Sequence, residues 1–233
     1  MKIFAISDLH LSVNNPKPMD IFGPVWEGYL DKIFKDWREK VGEEDIVLLA
    51  GDFSWAMKLE DAIADFKLLE SLPGKKVFIR GNHDYWWKSI SSVRALLPAG
   101  MYAIQNDALK FDNVVICGTR GWQVVENEAE REERDKKIFD REVLRLEMTL
   151  SAGKKLAGEN DKIICMMHYP PMNFAKEESA FSNLIEKYQI SDVVYGHLHG
   201  YKNPTLQYEK NGVKYFLTSC DEVKNQLVLI DEV

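Results

Sequence analysis

The sequence predicts an α/β fold with a mixed sheet, and three observations carry that prediction. Apolar runs of strand length alternate with amphipathic helical stretches over residues 2–80. Chemically loaded residues fall just past the ends of those runs, where open α/β sheets place their ligands. The later apolar runs follow one another across short connections, as strands of mixed direction do.

Taken in order, residues 2–7 read as a buried strand, and the Pro- and Asn-rich stretch 13–24 reads as a loop. Trp26, Tyr29, Leu30, Ile33, Phe34 and Trp37 recur on one helical face that ends near Gly42. Residues 45–50 form a second strand, residues 59–71 a second amphipathic helix closed by Pro73-Gly74, and residues 76–80 a third strand. Residues 109–111 and 114–117 flank Asp112-Asn113 as a hairpin. Residues 162–167, 192–195, 213–218 and 226–230 are the remaining strands.

Residues 126–157 stand apart as a helical insertion within a single domain spanning 1–233. Their polar start places Glu130/Arg134, Glu132/Lys136 and Glu133/Lys137 for i,i+4 pairing, and Phe139, Val143, Leu146 and Leu150 form an apolar stripe further on. The expected picture is a helix solvated at its start and docked at its end.

A chain of 233 residues is long enough for one sizeable core. With 45% hydrophobic residues, 29% charged and a net charge of −7, it lacks the basic footprint of a protein that binds nucleic acid polymers. Asp8 interrupts the N-terminal apolar stretch too early for a signal peptide, and no run approaches the roughly 20 apolar residues that cross a bilayer. Cys117, Cys165 and Cys220 lie in or beside strand-like runs without metal-ligand spacing, which reads as buried free thiols. A cytoplasmic location without membrane contact is expected.

The chemistry concentrates in five islands: Asp8-Leu9-His10, Gly51-Asp52, Gly81-Asn82-His83-Asp84, His168 and Gly196-His197-Leu198-His199. Two divalent cations set close together need a bridging carboxylate, neutral imidazoles and open positions for water and substrate oxygen. Asp, His and Asn without thiolate favour manganese, iron or zinc over copper(I) or iron–sulfur clusters. Any one Asp here reads as a turn or cap residue, and a lone His168 as a satisfied core histidine; their joint occurrence at strand ends points to a metal site.

In this order the islands resemble the calcineurin-like metallophosphoesterases, from residue 8 to residue 199. The resemblance implies an αββα sandwich of two mixed sheets flanked by helices. It implies two divalent ions (Mn, Fe or Zn), one held by Asp8, His10, Asp52 and His199, the other by Asp52, Asn82, His168 and His197, with Asp52 as the bridge. It further implies a phosphoric ester hydrolase in which a hydroxide bridging both ions attacks phosphorus in line. His83 is then the catalytic acid toward the leaving alkoxide, with Asp84 beside it to fix its tautomer and raise its pKa, against the simpler role of a hydrogen-bond donor to phosphate. Ser7 and Ser54 read as turn or capping residues.

The branch most like this chain is that of the small phosphodiesterases, on the strength of His168-Tyr169-Pro170-Pro171. The protein-phosphatase branch carries an arginine after its second island, where this chain reads Phe53-Ser54-Trp55-Ala56. The repair nucleases share GNHD but add a capping domain and a DNA-binding surface. A small phosphodiester or phosphomonoester is the expected substrate; the rival is a non-catalytic scaffold on the same fold. Arg120 is a candidate to grip a second anionic group, against an ordinary ion pair. Trp55, Trp86, Trp87 and Trp122 follow closely on the islands, with Trp86 and Trp122 the candidates to support a planar leaving group, against plain packing.

Overall fold

In the computed structural model, which describes residues 1–126 and 131–233, two mixed sheets form. The first takes Lys2–Ile6 (β1), Ile46–Leu49 (β2), Lys75–Phe78 (β3) and Met101–Ala103 (β4), all parallel. The second takes Ala108–Phe111 (β5), Val114–Thr119 (β6), Lys162–Met167 (β7), Asp192–Tyr195 (β8), Gln207–Lys210 (β9) and Val213–Leu217 (β10). The last strand, Val228–Glu232 (β11), returns to lie antiparallel beside β1. The orders are β11-β1-β2-β3-β4 and β5-β6-β7-β8-β10-β9.

Period-two alternation sorts the strand residues into two faces. Ile3, Ala5, Leu48 and Val77 of the first sheet pack against Ile116, Ile164, Met166 and Val194 of the second, so the sheets face each other across a dry core. The outer faces take the helices. Tyr29–Lys40 (α1), Leu59–Glu70 (α2) and Ile90–Leu96 (α3) cover the first sheet, with Ile33, Trp37, Phe66 and Val93 packed on Phe4, Leu49 and Phe78. Glu133–Leu156 (α4) and Ala180–Lys187 (α5) cover the second through Leu146, Leu150, Phe181 and Ile185. The result is helices, two sheets and helices, the arrangement that buries both faces of each sheet.

The segment expected as a helical insertion carries the crossover between β6 and β7, which are parallel neighbours and need such a connection. α4 is exposed over its first turns and buries Phe139, Leu146 and Leu150 beyond them. The Glu133–Lys137 pair closes at 3.4 Å between side chains that are both 75% exposed, a contact worth little in water. The Glu130/Arg134 pair lies outside the described residues. The three cysteines are free and buried. Among the described residues no helix is long and apolar enough to cross a membrane.

Besides the 3-10 turns at Asp20–Phe22 and Pro24–Trp26, four described elements are absent from the sequence reading, and each is short. β4 has three residues, too few to show a period. β9 (QYEK) is an edge strand with polar outward positions. α3 and α5 are announced by their caps, Ser89 accepting from the Ser92 amide and Ser179 forming a capping box with Ser182.

Phe66 is fully buried and stacks on Phe53 at 5.0 Å. Phe66→Ala should cost about 3–5 kcal/mol of unfolding free energy, whereas Met148→Ala, on the exposed side of α4, should stay within about 0.5 kcal/mol. Urea midpoints at constant m-value measure both.

Candidate metal centre

The loops that leave β1 and β2 are laced together before any side chain is considered. The amides of Asp8, His10 and Leu11 donate to the carbonyls of Gly51, Asp52 and Phe53 at 3.0, 3.0 and 2.9 Å. Across the seam between the sheets, Ser7 donates to Thr218 and Cys220 to Ser7; within the second sheet, Gly196 donates to His168. Tyr29 of α1 adds a hydroxyl bond of 2.8 Å to the Leu9 carbonyl.

This lacing turns the backbone in an unusual way. Asp8, His10, Asp52 and His197 all sit at positive φ (60°, 48°, 51° and 70°), a region that non-glycine residues seldom occupy and that clusters at functional sites. Each turn swings a polar side chain inward from a strand end. Glycine makes the close approach possible: a Cβ on Gly81 would collide with the Asp52 carboxylate, and one on Gly196 with that of Asp8.

Two clusters of donor atoms result, Asp8 with His10 and His199, and Asp8 with Asp52 and His168, each with its ligand atoms within 4.8 Å of one another. Such spans suit cation bonds of about 2.0–2.2 Å. Asp52 Oδ2 lies 3.9 Å from His10 Nε2 and 3.5 Å from His168 Nε2, so one oxygen faces both clusters. His199 Nε2 is 3.3 Å from Asp8 Oδ1. Asn82 Oδ1 meets His168 Nε2 at 2.7 Å, and the His197 ring stands 5.1 Å from that of His168. The donor set and its spacing fit divalent cations.

The charges also call for them. Burial, then the negative charges of Asp8 and Asp84, push Asp52 up to about 9. Asp8 goes the other way: burial raises it, but the hydrogen bond and charge of His199 outweigh that and hold it well below the carboxylate range. Burial lowers His10 and His168 to about 3 and His197 to about 4, leaving neutral imidazoles. His199 is lowered by burial, yet its bonds to Asp221 and Asp8 lift it to about 10. At neutral pH the metal-free centre therefore carries protons on Asp52 and His199.

The sequence profile of the calcineurin-like phosphoesterases matches residues 1–201. This chain belongs to that family. No curated protein matches it in sequence. In structure the chain is similar to the protein TT1561 of Thermus thermophilus, with TM-score 0.58 and 15% identity over 97% of this chain and 96% of that one. It is also similar to a protein of unknown function from Aquifex aeolicus, AQ665, with TM-score 0.50 and 13% identity over 98% and 95% of the two chains. At these identities the likeness is one of fold.

The structure departs from the sequence reading at five residues. Asp84 does not partner His83. Its fully buried carboxylate accepts from the amides of Phe53, Ser54 and Gly81 and from the Trp86 indole, bracing the second and third islands against each other. His83 Nδ1 has no partner, and burial lowers its pKa where Asp84 was expected to raise it. Trp86 is fully buried, packed edge-on against Phe53 and Phe66, and so is out of reach of substrate. Trp122 packs on Tyr169 beneath Arg120, and Arg120 joins Arg141 and Arg145 on the buried Glu142 carboxylate. None of these three lines the two cavities beside the centre.

Other residues take those places. Trp55 stacks on His10 at 4.7 Å and lies 4.6 Å from His83, and Trp26, which the helical pattern had absorbed, faces His10 and His199. Asp221 accepts from His199 Nδ1 at 2.7 Å and from the Gly200 amide at 3.1 Å, fixing the ring so that Nε2 faces Asp8. Its signal was present: it follows directly on the strand run 213–218, as the recognised islands follow theirs.

Because ligands must be deprotonated to bind metal, loading the centre at pH 7 should release about two protons, from Asp52 and His199, and affinity should rise with pH up to the higher of their pKa values. Asp221→Asn should reduce the release toward about one, since His199 loses a partner that holds its proton. Calorimetric titration with manganese in buffers of different ionisation enthalpy reads the number directly; no release would contradict these protonation states.

Proposed function

We propose that the chain is a divalent-metal-dependent phosphoesterase that hydrolyses small phosphate esters with water as the attacking group. The observation that carries this reading is the buried Asp8/Asp52 pair ringed by His10, His168 and His199 and opening on a cavity of about 420 Å³ walled by His83. Asp8, His10, Asp52 and His199 would hold one cation and Asp52, Asn82, His168 and His197 the other. Bound cations supply Lewis acidity toward phosphoryl oxygens and lower the pKa of a water.

The chain supplies position and protons. Asp84 holds the loops carrying Asp52 and Asn82 at fixed separation through its four accepted hydrogen bonds. Asp221 and the Ala50 carbonyl orient His199 and His168 through their Nδ1 atoms. His83 is set by its own amide, which donates to Asp52 Oδ1 at 2.8 Å, so its ring projects beside the centre with Trp55 against it. Half-buried, with its pKa lowered by that burial, it would take up a proton when an anionic ester arrives, because a nearby negative charge raises an imidazole pKa, and pass it to the leaving oxygen. A scaffold that had lost its chemistry would have no need for four inward turns at positive φ.

His83→Ala should keep its metal but lose roughly 10²–10⁴-fold in kcat on alkyl esters, the usual contribution of a positioned acid, and lose less on nitrophenyl esters, whose leaving group departs unprotonated. Equal losses on both would leave His83 a phosphate-binding group only. Given the net charge of −7, DNA and RNA polymers should be poor substrates at physiological salt. Endonucleolytic cleavage of long DNA at that salt would point instead to a nuclease.

A further inference from the structure

The centre has a cavity on each side, and the two are unlike. The first, of about 420 Å³, is walled beyond the histidines by Met19, Phe22, Val25, Trp26 and Trp55. The Trp55 ring already stacks on His10 and has the Lys17 ammonium 4.4 Å from its centroid. Phe22, 64% exposed, and its neighbour Ile21 extend this apolar wall at the rim. Exposed apolar groups of this size gathered at a cleft mark a binding surface.

The second cavity, of about 370 Å³, shares His197 with the first as a common wall. Its wall mixes apolar side chains such as Met172, Phe174 and Leu217 with the hydrogen-bonding and cationic Tyr201, Lys176, Lys202 and Asn203, and no carboxylate lines it among the described residues. Lys176 sits over the Tyr208 ring at 4.2 Å, whereas Lys202 is exposed. In a chain of net charge −7, two lysines and no carboxylate on the lining favour an anionic group there, with the nearest acids, Glu126 and Glu177, held behind the wall on Asn173.

Resting on the phosphoesterase reading above, we infer that the substrate is an asymmetric phosphodiester whose apolar leaving arm fills the Phe22–Trp26 cavity and whose retained, anionic arm lies in the Tyr201–Lys202 cavity. A monoester has one organic arm and would leave one cavity without use. A diester has two, projecting from phosphorus in different directions, and His197 stands where they part. The leaving arm belongs on the first side because His83, the proton donor, walls that cavity and not the other. Hydrolysis breaks the P–O bond to the apolar arm: water adds its oxygen to phosphorus, the apolar alcohol leaves with a proton, and the anionic arm stays on a phosphomonoester.

Three nitrophenyl probes test this on the manganese-loaded protein: p-nitrophenyl phosphate, methyl p-nitrophenyl phosphate and 2-carboxyethyl p-nitrophenyl phosphate. The carboxyethyl diester should exceed the methyl diester in kcat/KM by about tenfold or more, the worth of one charge-assisted contact, and both diesters should exceed the monoester. Lys202→Ala and Tyr201→Ala, at exposed positions, should collapse the carboxyethyl-to-methyl ratio toward one. Phe22→Ala should lower kcat/KM for all three probes and leave that ratio in place. A preferred monoester, equal rates on the two diesters, or a ratio that the Lys202 and Tyr201 variants do not change would overturn the two-arm assignment while leaving the phosphoesterase reading intact. No hydrolysis of any probe would overturn that reading, and this inference with it.

Discussion

Two carboxylates, Asp8 and Asp52, are buried side by side at the seam between two sheets, and the rest of the centre is organised around that. Like charges in a low-dielectric site cannot both be held without compensation. In the metal-free protein the conflict is relieved by protons: Asp52 keeps one, and His199, braced by Asp221, carries another. Divalent cations would relieve it more completely, by neutralising both carboxylates and taking as ligands the neutral imidazoles that burial has already prepared at His10, His168 and His197.

The fold builds this arrangement from backbone rather than from side-chain contacts. Strands β1, β2 and β3 of one sheet and β7, β8 and β10 of the other end at the same seam, and their loops exchange amide and carbonyl bonds there. Where each loop turns, the backbone enters the left-handed region, and the adjoining Gly81 and Gly196 leave room for the carboxylates. Asp84, placed by sequence beside His83, serves this framework instead of the chemistry. Four donors converge on it, three on Oδ1 and one on Oδ2, and the His83 imidazole is not among them.

The sheets, the first two helices and the metal-type residues were legible in the sequence because each rests on a local pattern: an apolar run of strand length, a helical stripe, a polar island at its end. What was not legible depends on contacts between distant segments. Whether Trp86 faces substrate or core is decided by Phe53 and Phe66, and whether Arg120 meets an anion or Glu142 is decided by how α4 docks on β6. Trp26 reads as part of a helix because its spacing from Tyr29 and Trp37 is helical. The chain in fact breaks at Gly28, in the left-handed region, and turns the indole toward His10 and His199. The short elements β4, β9, α3 and α5 fell below the length at which periodicity speaks, and only the serine caps of the last two could have announced them.

The two cavities make the same point at the level of specificity. The loop before α1 supplies the outer wall of one of them, and the segments after β6, β7 and β8 wall the other, so on the proposed reading substrate choice would rest largely on residues outside the metal-type islands. The central proposal is that the strand-end cluster would hold two cations with Asp52 between them, and anomalous diffraction from manganese-soaked crystals tests it most directly. Two peaks are predicted, one among Asp8, His10 and His199 and one beside His168, Asn82 and His197, with the Asp52 carboxylate in contact with both. A single peak, or two peaks of which only one touches Asp52, would contradict it.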